Sequence, residues 1–331
     1  MSETVFQTGV RILEATVALA SNRKSLLPCL PPPLEVKSLL TDFRAVERIP
    51  YSSGADGRIT VWDRPGGRPS YRLSGTQAHF SGPFAGLARR ASDLRFSFWG
   101  NQGFLYRFTL MLLELKHGIF NLHACALYQP QRHRLFIIAG GAGSGKTVFL
   151  LSGLKRGLAL FSTETVHFRK VRGRFHWFQG SLVDNVRIGT LRRHFPGFLP
   201  NVSGGSPETE WQTKTALDLS SFRWPGDSLV GPETVILFPR IEEGREEFII
   251  SPFHDHRQTA KVLFDNATEK ISESVVLYDR LVVLGLDRAD LAEERWRVGD
   301  ALARNPRTVY SASVLASPRC CWGDLLDREF L

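Results

Sequence analysis

The run Gly140-Gly141-Ala142-Gly143-Ser144-Gly145-Lys146-Thr147 has the residue types and spacing to hold a polyphosphate. It satisfies the pattern G-x-x-x-x-G-K-[ST]. Glycine-rich backbone lets the N–H groups of Gly141, Ala142, Gly143, Ser144, Gly145 and Lys146 converge on phosphate oxygens. A helix starting at this point adds positive potential from its N-terminus. In such a loop Lys146 reaches the outer phosphates and the Thr147 hydroxyl ligates Mg²⁺. The competing reading is a glycine-rich strand-to-helix turn with a chance Lys-Thr pair. The flanking text favours the phosphate loop. Leu135-Phe136-Ile137-Ile138-Ala139 reads as a buried strand, and Val148 to Gly157 reads as a helix closed by glycine.

The elements that must position this loop follow from the surrounding pattern. Phe120 to Tyr128 is a strand candidate, and the polar turn Gln129-Pro130-Gln131-Arg132-His133 is short enough to make it antiparallel to the loop's own strand. Further strands are expected at 158–162, 165–168, 174–178, 235–238 and 308–312, with helices over 257–270 and 288–304. Residues 201–231 read as a Gly/Ser/Pro-rich excursion. Upstream, Val10 to Leu19 has an amphipathic pattern that predicts a helix, followed by a Pro-rich segment at Pro28 and Pro31–Pro33. Arg58–Trp62 and Ser70–Leu73, separated by Asp63-Arg64-Pro65-Gly66-Gly67, predict a hairpin. Residues 103–115 predict a buried helix ending near Gly118. The simplest partition is an N-terminal mixed α/β domain over 1–117 and a nucleotide-binding domain over 118–331. The fold class is α/β with a mixed (α+β) sheet.

Composition sets wider bounds. The 331 residues are 43% hydrophobic and 23% charged, ordinary for a chain that buries a real core. The net charge of +9 comes mainly from dispersed arginines. One denser basic zone runs through Arg169, Lys170, Arg172 and Arg174, then Arg187, Arg192 and Arg193. It is either a solvated strand face or a surface that attracts phosphates, acidic peptides or nucleic acid. Nothing resembles a zinc finger or an RNA-recognition motif, which disfavours nucleic acid. Cys29, Cys125, Cys320 and Cys321 show neither metal-ligand nor disulfide-framework spacing, as expected of a reducing compartment. With no signal peptide or membrane-length apolar run in the sequence, the expected location is cytoplasmic and away from the membrane.

Several blocks resemble the HPr kinase/phosphorylase-like proteins, a group that shares a nucleotide-binding core with phosphoenolpyruvate carboxykinase. They are Leu122-His123-Ala124, the glycine-rich loop and Lys155-Arg156-Gly157, then Gln179-Gly180-Ser181 and Arg187-Ile188-Gly189-Thr190 with Phe195-Pro196. Thr213-Lys214-Thr215 and Phe238 to Gly244 continue the likeness, which spans roughly 105–300. The loop block is specific; the later ones are loose. The resemblance implies a mixed-sheet core with the phosphate loop after an antiparallel strand pair. It also implies ATP- and Mg²⁺-dependent phosphoryl transfer to a hydroxyl on a peptide, a protein or a small molecule. Related proteins often form homo-oligomers.

The family usually carries two adjacent acids after the strand that follows Gly157. Here Thr163 stands at the first, the general-base position, and Glu164 at the second. Glu164 is therefore the expected Mg²⁺ ligand, with Thr147, and the catalytic carboxylate, with Lys146 and His123. His123 has a family counterpart near the phosphates, although a lone histidine in an apolar strand is often a hydrogen-bonded core residue. The loss of the base leaves two readings open, an active kinase and a catalytically weak nucleotide-binding regulator. A motor-type ATPase would need an arginine finger and a further apolar strand ending in an acid, and the sequence offers no convincing strand of that kind. Lys214, Arg240 and Arg187 are candidate phosphate clamps or ordinary surface charges. Asp184 has no discriminating spacing. Phe175, Trp177 and Phe178 read as sheet core, and His254 and His256 as a helix-cap region.

Overall fold

The structure is a computed structural model that describes residues 4–28, 43–44, 46–199, 209–323 and 325–327. Cys29, Pro31–Pro33 and residues 201–208 lie outside the described residues. The molecule is mixed α/β, with several sheets and, among the described residues, six α-helices. None of these helices is long and apolar enough to cross a membrane. The chain forms two compact units, Met1–Phe120 with Thr268–Ala292, and Asn121–Ala267 with Glu293–Leu331.

The first unit is built on β1 (Phe6–Ile12), β2 (Ala15–Ser21), β3 (Val46–Ile49), β4 (Gly57–Asp63), β5 (Ser70–Ser74) and β6 (Gln77–Gly82), in the order β3-β1-β2-β4-β6-β5. The helix expected over 10–19 is instead the β1–β2 hairpin, turning at Leu13–Glu14. Val10, Ile12, Val17 and Leu19 are fully buried. Strand β2 is covered on both faces, so its apolar run lacks the alternation that marks a half-buried strand. The Asp56 carboxylate anchors β2 by accepting from the Thr16 amide and hydroxyl, both at 2.8 Å.

The expected pairing of β4 with β5 is also not what forms. Strand β4 pairs in parallel with β2 and β6, and the hairpin is β5–β6, turning at Gly75–Thr76. The pattern of β4, buried on both faces, places it in the sheet centre, whereas β5 alternates as an edge strand should. Helices α1 (Phe84–Arg90) and α2 (Phe104–His117) belong to this unit. Helix α2 is apolar nearly all round and ends as expected at Gly118, whose left-handed backbone (φ 59°) closes the last turn. Phe80, Phe84, Phe98, Phe104 and Tyr278 form its aromatic core.

The second unit begins with β7 (Phe120–Leu122), β8 (Ala124–Gln129), β9 (Arg134–Ala139), α3 (Lys146–Lys155), β10 (Ala159–Ser162), β11 (Val166–Val171), β12 (Arg174–Phe178) and β13 (Val183–Arg187). It continues with α4 (Ile188–His194), β14 (Lys214–Asp218), β15 (Ser228–Val230), β16 (Glu233–Ile241), β17 (Ile249–Pro252) and α5 (His256–Ser272). After the small hairpin β18 (Val275–Leu277) and β19 (Leu281–Val283) of the first unit come α6 (Ala289–Ala303) and β20 (Thr308–Ala316).

The main sheet has the order β10-β8-β9-β16-β20-β17. Strands β8 and β9 are antiparallel, as their short connection requires, and β16 and β20 run parallel to β9. The carboxyl ends of β9, β16 and β20 therefore share one edge, where ligands of open α/β sheets collect. A second sheet, β15-β12-β11-β7, and the ribbon β13–β14 carry the remaining strands. Helix α3 packs on the main sheet through Phe149, Leu150 and Leu154, and Trp322 wedges against Phe136 and Phe149. The buried indole N–H of Trp322 donates to the Phe149 carbonyl at 2.9 Å, which satisfies it. Phe175 and Trp177 are buried sheet core, as expected, with Trp177 stacked on Phe168.

Candidate functional site

Strand β9 is buried along its whole length and delivers Gly140 to the carboxyl edge of the sheet. The loop that follows is held open by Gly145, which has φ 102°. A Cβ at that position would come within 2.1 Å of Ile241 Cγ1 at the end of β16. Only glycine fits, because both the backbone and the space exclude a side chain. Among the described residues, no acceptor takes the backbone amides of Ala142, Gly143, Gly145 and Thr147. The first turn of α3 carries no acid. Unspent amides at a helix start form a site for an anion.

Lys146 is largely buried and its ammonium turns back onto the loop, donating to the carbonyls of Gly140 (2.5 Å) and Gly141 (3.0 Å). Phosphate oxygens are stronger acceptors for the same donors. The Thr147 hydroxyl donates to Asp184 Oδ2 at 3.0 Å. Asp184, the residue sequence reasoning set aside, is buried in β13 and is thus the acid beside the loop.

Backbone and hydroxyl contacts bring Glu164 to the same place. The turn after β10 docks against the segment entering β13. The Thr163 amide donates to the Ser181 carbonyl (2.9 Å) and the Thr163 hydroxyl to the Val183 carbonyl (2.7 Å). Thr163 therefore faces the neighbouring backbone and cannot take the place of a catalytic base. Glu164, the next residue, is half-buried and lies close enough to Asp184 for the two carboxyls to shift each other's ionisation. His123 lies at the break between β7 and β8. Its ring Nε2 is 3.7 Å from Glu164 Oε2. Its carbonyl accepts from Asn266 Nδ2 (3.1 Å) and from the Gly140 amide (3.4 Å), which ties the break to the first residue of the loop.

The two acids ionise differently. Burial, followed by the charge of Glu164, pushes Asp184 up to about 7, with the Thr147 hydroxyl acting in the opposite direction. Burial also works against the Glu164 anion. The nearby His123 ring and the charge of Lys146 outweigh it, so Glu164 stays below the usual carboxylate range. The two neighbouring acids are thereby biased toward different protonation states.

The other candidates are elsewhere. Lys214 is paired across the β13–β14 ribbon with Arg187, both exposed, and Arg240 is exposed with its guanidinium 3.3 Å from Glu242. Asp255 accepts from the Arg257 amide at the start of α5, as expected of a helix-cap region. Cys125, Cys320 and Cys321 are free thiols. Among the described residues no cluster of three or more His, Cys, Asp or Glu side chains is arranged to hold a metal unaided. A divalent cation here would depend on Thr147, one or both acids and oxygens of a bound phosphate.

Asp184 was detectable in one respect: it is a lone acid between Val183 and Val186 in a short strand-like stretch, and buried acids need partners. Its partner lies in a different element, so no spacing rule links them. No family model matches the chain, and no curated protein matches its sequence significantly.

Proposed function

We propose that the second unit binds a nucleoside triphosphate and is an ATP- and Mg²⁺-dependent kinase of the HPr kinase/phosphorylase-like kind, built on the core shared with phosphoenolpyruvate carboxykinase. The observation that carries this reading is the Thr147–Asp184 hydrogen bond beside a loop of unspent amides. The amides of the loop hold the β- and γ-phosphates, and Lys146 leaves the loop carbonyls for the outer phosphate oxygens. Thr147 and Asp184, both hard oxygen donors, would hold Mg²⁺ there together with oxygens of the bound phosphate. When bound, Mg²⁺ supplies charge neutralisation to the phosphates. Asp184, strained as an anion next to Glu164, gains from such a cation.

Glu164 is then left to receive the acceptor's proton, with His123 fixing its orientation. The acceptor hydroxyl oxygen forms a bond to the γ-phosphorus as the bond to the β–γ bridging oxygen breaks. The hydroxyl proton passes to Glu164, and ADP leaves with the electron pair. A carboxylate in this role contributes about 10²–10⁴ in rate. Incubation with γ-labelled ATP and serine peptides or small polyols tests the reading. Label should reach a hydroxyl in the wild type and be lost in Lys146→Ala; undiminished transfer by that variant would overturn it.

One observation favours a second reading, a nucleotide-binding regulator without turnover. The position expected to hold the base is Thr163, whose hydroxyl is spent on the Val183 carbonyl. Saturable ATP binding with no transfer to any acceptor would select it.

A further inference from the structure

The basic stretch along β11 and β12 is separate from the phosphate loop in the chain, and its Arg174 lines a cleft near the end of β9 opposite that loop. His133 immediately precedes β9, and Gly140 immediately follows it. The two ends of this strand are about 20 Å apart at ~3.3 Å per residue. A cleft of about 250 Å³ opens at the His133 end, lined by Arg174, Arg307, Asn305, Thr308 and Val230 among others. Its described lining residues include two arginines and no Asp or Glu.

The charge of these two arginines is uncompensated. Neither makes an ion pair or side-chain hydrogen bond within the described residues, whereas Arg11, Arg95, Arg288, Arg297 and Arg304 each hold a carboxylate. The acids nearest along the chain are already engaged, Glu233 by Arg134 at 2.8 Å and Asp300 by Arg304 at 2.9 Å. One neighbouring polar group, Asn305, offers a donor. Asn305 Oδ1 accepts from the Arg307 amide at 2.8 Å, and among the described residues its Nδ2 donor has no partner. Thr308 spends its hydroxyl proton on the Leu302 carbonyl at 2.7 Å, leaving oxygen lone pairs only. His133 is a fixed wall, its ring held between the Tyr128 hydroxyl (2.7 Å) and the Val230 carbonyl (3.3 Å).

We propose that this cleft, walled by Arg174, Arg307 and Asn305, is a second anion site that takes a phosphate dianion, free or as a small monoester. Two guanidinium groups and an amide donor supply the charge-assisted donors that a tetrahedral oxyanion takes, and no carboxylate among the described lining residues competes for them. The site is independent of the nucleotide reading.

The test separates it from the glycine-rich loop, which also attracts phosphate. Full-length Lys146→Ala protein is titrated calorimetrically with inorganic phosphate and, in a second arm, with glycerol phosphate, at ionic strength held constant with chloride. Saturable binding is expected, weakened at least about tenfold when Arg174→Gln and Arg307→Gln are added. Both arginines are exposed, so the thermal melting of the variant should match its parent, and Arg174→Lys with Arg307→Lys should recover part of the affinity. Tighter binding of one probe identifies the free or the esterified form. No saturable binding, or binding unchanged by the paired substitutions, overturns the proposal.

Discussion

Replacing Asp184 with Asn should make the ligand-free protein more stable while removing its fit to Mg²⁺. Asp184 is buried, and its carboxyl is pushed from 3.8 up to about 7 by burial and then by the Glu164 charge. A carboxyl with a raised folded pKa binds its proton more tightly in the folded state. Its contribution to stability is complete below about 3.8 and is lost as pH rises through about 7. A shift of roughly three units is equivalent to about 4 kcal/mol for an isolated group. Because the two acids titrate as a pair, only part of that belongs to Asp184, leaving a gain of roughly 1–3 kcal/mol for Asp184→Asn above neutral pH. The amide oxygen of Asn can still accept from Thr147, so the hydrogen bond itself survives. Denaturant unfolding of metal-free protein at about pH 8 and about pH 5 reads the effect. The gain should be present at the higher pH and shrink at the lower, where wild-type Asp184 is already protonated. A variant that is less stable at the higher pH, or equally stabilised at both, would refute the electrostatic account of this pair.

Thr163→Asp should not restore a missing base. It replaces the donor to the Val183 carbonyl with a third buried carboxylate, so chemical denaturation should show a loss of about 2–4 kcal/mol with no gain in transfer. Glu164→Gln should leave nucleotide affinity within about threefold in equilibrium titration and lower turnover by about 10²–10⁴. Equal losses in binding and turnover would place Glu164 among the phosphate-holding groups instead. Gly145→Ala meets Ile241 Cγ1 at 2.1 Å in a left-handed backbone. It should destabilise the second unit by roughly 1–3 kcal/mol in a melting experiment and weaken nucleotide binding, because the loop cannot keep its course.

The parts of the fold that could be read from sequence were those set by neighbours in the chain. The short connection from Gln129 to His133 dictated the antiparallel β8–β9 pair, and Gly118 marked the end of α2. The glycine-rich loop is legible for the same reason, since its backbone requirement is written in consecutive residues. Pairings set by distant segments were not legible. Nothing local says that β4 lies beside β6 and not β5, and the doubly covered β2 resembles a helix segment in its hydrophobic pattern. The site divides in the same way: Lys146 and Thr147 follow from the motif, whereas Asp184 meets Thr147 only because the turn at Thr163 is bonded to the backbone at Ser181 and Val183.

Equilibrium titration of the full chain with a fluorescent, nonhydrolysable ATP analogue, with and without Mg²⁺, tests the central claim most directly. The account predicts saturable one-to-one binding that Mg²⁺ strengthens. Loss of the Lys146 ammonium, a contact of about 2–4 kcal/mol, should weaken it by roughly 30- to 1,000-fold in Lys146→Ala. Absence of saturable binding at millimolar analogue, or equal affinity in wild type and Lys146→Ala, would contradict it.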